Sequence, residues 1–184
     1  DVILGVGGKP FSYDPRTEIG KAITAAETEE GGGTLKLTRW RSGTEEQVAL
    51  KLAALGSYSA TAPYACEKSK RILEQGCEAL AKRMAEAGYP KTQDPITRSL
   101  NALALLASGD GKYMPLVKKE AEWASGFDTD SFSTWYNGYV MMLLSEYVIA
   151  TGDKSVMPGL SRLALDAAKG QSAVGSWGHG YARP

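Results

Sequence analysis

Gln171-Ser172-Ala173-Val174-Gly175-Ser176-Trp177-Gly178-His179-Gly180-Tyr181 is the stretch on which the fold turns. Its second half echoes an earlier segment, Ser133-Thr134-Trp135-Tyr136-Asn137-Gly138-Tyr139. Both read W-x-x-G-Y, and the two tryptophans are 42 residues apart. A recurrence of that length indicates a repeated helical unit. The connectors recur as well: Ala107-Ser108-Gly109-Asp110 with Met114-Pro115 returns as Ala150-Thr151-Gly152-Asp153 with Met157-Pro158, 43 residues later. Each block ends a helix near Gly, runs a short loop and restarts a helix on Pro. The unit is therefore two helices in about 43 residues.

Working outward, apolar spacing predicts helices over 68–86, 95–107, 114–125, 134–150 and 158–169, a loop over 170–178 and a sixth helix from about His179. Helices 95–107 and 134–150 are apolar nearly all round, Tyr139-Val140-Met141-Met142-Leu143-Leu144 most clearly, and are expected to be buried on all sides. Helices 114–125 and 158–169 are amphipathic, with Lys118, Lys119, Glu122, Arg162 and Asp166 for water. Alternating inner and outer helices make an α/α-hairpin array, either closed into a toroid or stacked as a solenoid.

The first third reads differently. Asp1–Val6 is β-like, residues 7–10 turn, Asp14 caps a helix begun by Pro15 and running to about 29, and Gly31-Gly32-Gly33 ends it. Residues 34–41 and 47–52 alternate as two strands around Ser42-Gly43. Asp1, Val2, Ile3, Val6, Gly8 and Lys9, with Arg41 and Gly43, fall on the G-D-V-I-x-x-V-x-G-K and R-x-G pattern of bacterial PDZ domains, so residues 1–52 resemble the C-terminal part of one. In that family a peptide adds as a strand beside a helix, which corresponds here to 15–29. The carboxylate-cradling loop and peptide-pairing strand lie before the D-V-I segment, so the resemblance implies only the helix wall of a groove.

Pattern is lost over 53–67, where Gly56, Ser57, Ser59, Thr61 and Pro63 mark a boundary and Tyr58 and Tyr64 are expected to pin the segment to a neighbouring surface. The expected organisation is a partial PDZ-like domain over 1–55, a linker over 56–67 and an incomplete α/α-hairpin repeat domain over 68–184. The fold class is thus mainly α with a small α+β part. The opening Asp1-Val2-Ile3-Leu4, a strand without a polar lead-in, reads as a processed, trimmed or fragmentary chain.

Gln171-x-x-x-Gly175-Ser176-Trp177 is similar to the Q-x-x-x-G-x-W repeat of squalene/hopene-cyclase-like α/α toroids, where it caps an outer helix and opens an inner one. The resemblance covers about 95–184; the earlier copy keeps Trp135 but lacks the Gln and Gly. PDZ and α/α toroid together resemble an uncharacterised family of large bacterial proteins. That resemblance carries no activity and implies a periplasmic or extracellular place.

Composition excludes several classes. Lys+Arg and Asp+Glu both number 21, so no basic excess points to nucleic acid or an anionic membrane. No apolar run approaches the roughly 20 residues of a membrane span. Cys66 and Cys77 would lie about 16 Å apart on one helix, too far for a disulfide, so two free thiols are expected. With two Cys and one His, neither a zinc site nor another metal or cofactor is expected. No phosphate loop, dinucleotide fingerprint or nucleophile elbow occurs.

Asp128-Thr129-Asp130-Ser131 is similar to a cyclase D-x-D-D acid motif but lacks the last Asp, which disfavours a terpenoid cyclase and suits a polar turn. The repeat aligns Asn137 with His179 and Tyr139 with Tyr181. In a toroid the inner-helix N-termini surround a cavity, so Asn137, His179 and Tyr181 are the candidate catalytic residues, and Trp135, Tyr139 and Trp177 the candidate binding residues. His179, Asn137 and Tyr181 would suit proton abstraction or hydrolysis on a glycan; the alternative is that all six pack a hinge. The first functional expectation is a non-catalytic protein-interaction or scaffold segment of a larger protein. The second is part of a toroidal glycan-acting hydrolase or lyase. Expected partners are a protein or peptide, or other copies or remaining parts of the same protein.

Overall fold

A computed structural model describes residues 1–128 and 133–180. The chain is mainly α-helical with a small four-stranded antiparallel sheet, and it divides into two compact units, Asp1–Glu74 and Gln75–Pro184. The division falls inside one helix, α2 (Glu67–Met84).

In the first unit, β1 (Val2–Val6), β2 (Lys9–Pro10), β3 (Thr34–Arg41) and β4 (Thr44–Lys51) lie in the order β2-β1-β3-β4. Gly7 and Gly8 take positive φ, 60° and 76°, and fold Lys9-Pro10 back onto Gly5-Val6. Sequence pattern alone makes Lys9-Pro10 part of a turn, since two residues carry no alternation; in the structure they pair as β2. Ser42 and Gly43, both at positive φ, make the β3–β4 hairpin turn that matches strand twist. Helix α1 (Pro15–Ala26) starts at Asp14, whose carboxylate accepts from Arg16 N at 3.0 Å. It ends three residues before the sequence reading has it. A Cβ on Gly31 would lie 2.1 Å from Ala25 O, so only glycine allows the chain to fold back that closely. Ala26, Leu35 and Leu37 form the core, with Ile3, Val6, Ala22, Ile23, Val48 and Leu52 against it. Lys68, 1% exposed, pairs with Glu27 and lies 4.4 Å from the Tyr58 ring centroid. Tyr58, 52% exposed, offers its ring to Lys68, and Tyr64 stands 81% exposed.

The second unit holds the remainder of α2, then α3 (Tyr89–Thr92), α4 (Pro95–Ala107), α5 (Met114–Ser125), α6 (Thr134–Thr151) and α7 (Met157–Lys169). Three-residue 3₁₀ turns, Gly111–Tyr113 and Lys154–Val156, precede α5 and α7. The repeat is visible atom by atom. Gly109 and Gly152 both take left-handed φ, 70° and 71°. Asp110 accepts from Lys112 N at 3.0 Å and Asp153 from Ser155 N at 2.9 Å. Ser108 Oγ donates to Leu105 O and Thr151 Oγ1 to Tyr147 O, both at 2.6 Å. Tyr113 and Val156, 43 residues apart, are both buried beneath their turns.

Leu105, Leu143, Leu144 and Leu163 are at most 2% exposed, each contributing about 1.5–3 kcal/mol by burial. Helix α5 packs on α4, α6 and α7, α7 also packs on α6, and α4 and α6 pack on each other. They do not, however, lie buried on all sides. Leu100 on α4 is 45% exposed, and Trp135, Met142 and Ile149 on α6 are 55%, 47% and 77% exposed. Apolarity all round set the expectation; each helix instead buries one broad face. His179 and Gly180 form a bend and not a helical turn, and residues 181–184 lie outside the described residues.

Candidate functional site

The two W-x-x-G segments meet. Trp135 lies in the first turn of α6, and Trp177 follows the loop that leaves α7. That loop is closed by its own bonds: Gln171 Nε2 donates to Gly175 O at 2.8 Å, and Ser172 N to Ser176 O at 2.8 Å. Gly175 takes φ 84°, which permits the tight return. Trp177 Nε1 donates to Ala167 O at 2.8 Å, a carbonyl in the last turn of α7 that also accepts from Gly170 N.

The next two residues, Gly178 and His179, dock on the start of α6. Ser133, at the N-cap of α6, makes no side-chain capping bond. His179 O takes that role, accepting from Thr134 N at 3.2 Å, and Gly178 O accepts from Thr134 Oγ1. Trp135 Nε1 donates to His179 Nδ1 at 3.0 Å, with the ring centroids 6.3 Å apart. An indole nitrogen can only donate, so His179 Nδ1 is an acceptor and the neutral ring carries its proton on Nε2. In that form neither nitrogen has a lone pair free to take a proton from a substrate.

Of the six residues singled out by sequence, the structure joins Trp135 and His179 directly and leaves both exposed. Trp177 is 49% exposed and faces the α7 end; Tyr139 is half-buried on α6. Asn137 is buried, 4% exposed, and its Oδ1 has no hydrogen-bond partner. Tyr181, and Thr129, Asp130 and Ser131 of the acid-like motif, lie outside the described residues. Asp128, the first residue of that motif, sits 3.9 Å from Arg162 Nη1, and Arg162 also donates to Phe127 O.

Two arrangements escaped the sequence reading. Arg98 and Glu120, 7% and 2% exposed, form an ion pair in which Nε and Nη2 both donate to Oε2 at 2.8 and 2.7 Å. The Arg98 guanidinium lies 3.7 Å from the Trp123 ring centroid. The charges stand 22 residues apart on separate helices, so no local pattern joins them. The second is Cys66, buried beside the first residue of α2. Hydrogen bonds from Ser69, then from Ser59 N, hold its thiol down to about 6. It borders a cleft of about 680 Å³ lined by Pro63, Ala65, Glu67, Ser69, Lys70 and Leu73. Its position immediately before a helix is the signal that could have found it.

A further cleft, of about 290 Å³, lies between α1 and β3 and is lined by Ala22, Ala25, Ala26, Gly31, Thr34 and Leu35 among others. Among the described residues no group of three His, Cys, Asp or Glu side chains could hold a metal ion. Nor, among them, is any helix long and apolar enough to cross a membrane.

No curated protein and no solved structure matches the chain. A family model does: with residues 69–184 matched, the chain belongs to the family of the domain of unknown function DUF6288.

Proposed function

We propose that the chain is a non-catalytic protein-interaction or scaffold segment, a PDZ-like strand–helix–hairpin unit followed by α/α hairpins of the toroid type. One observation carries this reading. His179, the sole histidine, accepts a hydrogen bond from Trp135 while its backbone carbonyl caps α6. The residue best suited to chemistry is engaged at both ends in holding a loop to a helix. The exposed apolar face of α6 supports the same reading, since contiguous exposed apolar surface marks interaction sites.

A second reading, part of a glycan-acting hydrolase or lyase, rests on the exposed Trp135 and His179 rings and the exposed Trp177, which suit stacking on sugars. The discriminating experiment incubates the chain with uronate-containing and neutral polysaccharides, following reducing ends and unsaturated products. The scaffold reading expects no turnover from the chain or from His179→Ala. Turnover abolished by His179→Ala would establish the second reading in its place.

A further inference from the structure

Helices α4 and α6 bury non-equivalent faces, and that leaves one face of α6 open in a defined way. On α4 the buried residues are Arg98, Ser99, Ala102 and Leu105. Their equivalents 43 residues on are Met141, Met142, Ser145 and Val148, and none of these is buried. Ser99 is 0% exposed where Met142 is 47%. On α6 the buried residues are Asn137, Val140, Leu143, Leu144 and Tyr147. Among their equivalents Leu100 is 45% exposed where Leu143 is 0%, and Ala104 is exposed where Tyr147 is buried. The face that α4 buries against its neighbours α5 and α6, here called forward, is thus open at Met142 on α6, and the face that α6 buries, here called backward, is partly open on α4. A head-to-tail interface of this kind is not self-complementary; it repeats until the ring closes or something caps it.

We propose that the forward face of α6, formed by Met142 and Ser145 with Tyr139 and Ile149 beside them on the same side of the helix, is the docking surface for one further helix of the same repeat, seated as α6 is seated on α4. This inference rests on the scaffold reading and names the partner of that surface. The partner's chemistry follows from the faces: an apolar helix presenting a stripe like Val140, Leu143, Leu144 and Tyr147. The chain also leads to this face. Gly178 and His179 bond to Thr134 and Trp135 of α6, placing the second W-x-x-G segment beside the N-terminus of α6. A second copy of the chain paired α6 to α6 would bring two forward faces together, a contact that the α4–α6 packing does not contain.

The test supplies such a helix. A second copy of residues 139–180, one unit of 42 residues, is inserted between Gly180 and Tyr181 of the full chain. The added unit is expected to fold: helical content by circular dichroism rises in proportion, and Tm of a single transition rises by about 5 °C or more. Met142→Lys in the original unit should abolish that gain and expose the added unit to trypsin, while Met142→Lys in the unextended chain leaves Tm unchanged. An added unit that stays unfolded overturns the proposal. If light scattering then shows the unextended chain to be a dimer that Met142→Lys makes monomeric, the occupant is a second copy and the interaction reading stands. If the unextended chain is monomeric with and without the substitution, the face is not a docking surface. Glycan turnover would remove the scaffold reading independently of either outcome.

Discussion

The α4–α5 hairpin and the α6–α7 hairpin share their connectors and differ in what they enclose. Both turn on a left-handed glycine, a carboxylate-capped 3₁₀ turn and a Met-Pro helix start. Yet α4 and α5 bury an ion pair, Arg98–Glu120, where the equivalent residues of α6 and α7 are Met141 and Leu163. And α4 covers its forward face where α6 exposes it. The connectors are set by local backbone chemistry, which each unit must satisfy by itself. The faces are set by neighbours, which the two units do not share. A repeat thus conserves its turns and varies its packing.

The largest losses are expected at Ser99 and Glu120, buried polar residues of the first hairpin. Ser99→Lys places a charge where no side-chain surface is exposed and is expected to cost more than about 4 kcal/mol in urea unfolding. Glu120→Leu leaves Arg98 buried without its partner, and about 3–5 kcal/mol should be lost. The double variant Arg98→Met with Glu120→Leu copies the second unit into the first and should recover most of that loss. A double variant as unstable as Glu120→Leu alone would show that the two hairpins are not interchangeable there.

The connectors should respond to acid. Bonds from the Ser155 hydroxyl and N–H, and from Tyr147 Oη, hold the Asp153 carboxyl down at about 2. An aspartate depressed in the folded state contributes stability above its ordinary value near 4 and loses it as pH falls toward about 2. Asp153→Asn should lower Tm at pH 7 and flatten the decline between about pH 4 and about pH 2. Equal acid sensitivity in the variant would remove Asp153 from that role. The smallest effect is expected at the equivalent of the largest: Met142→Lys, at the position matching Ser99, should change stability by less than about 0.5 kcal/mol.

Much of the second unit was legible because its signals are local. The 3.6-residue apolar period located α4 through α7, and the Gly-Asp and Met-Pro blocks located their connectors. The 3₁₀ turns were not, since three residues leave no period to read. Nor was α3, where Tyr89-Pro90 reads as a stop yet opens a four-residue helix with Pro in its first turn. Which face of α6 is open, and that Glu120 is buried while Glu122 meets water, depend on contacts distant in sequence. In the candidate site, the W-x-x-G recurrence located the junction. The bond from Trp135 to His179 was not legible, because its donor and acceptor are 44 residues apart and belong to successive copies of the motif.

The measurement that bears most directly on the open forward face is peroxide oxidation of the five methionines, followed residue by residue by mass spectrometry. In the unextended chain Met142 should oxidise readily while Met84, 1% exposed, resists. In the chain carrying the extra unit of residues 139–180, Met142 of the original copy should become as resistant as Met84, with Met157 unchanged. Protection of Met142 in the unextended chain, or its continued oxidation in the extended one, would contradict the account.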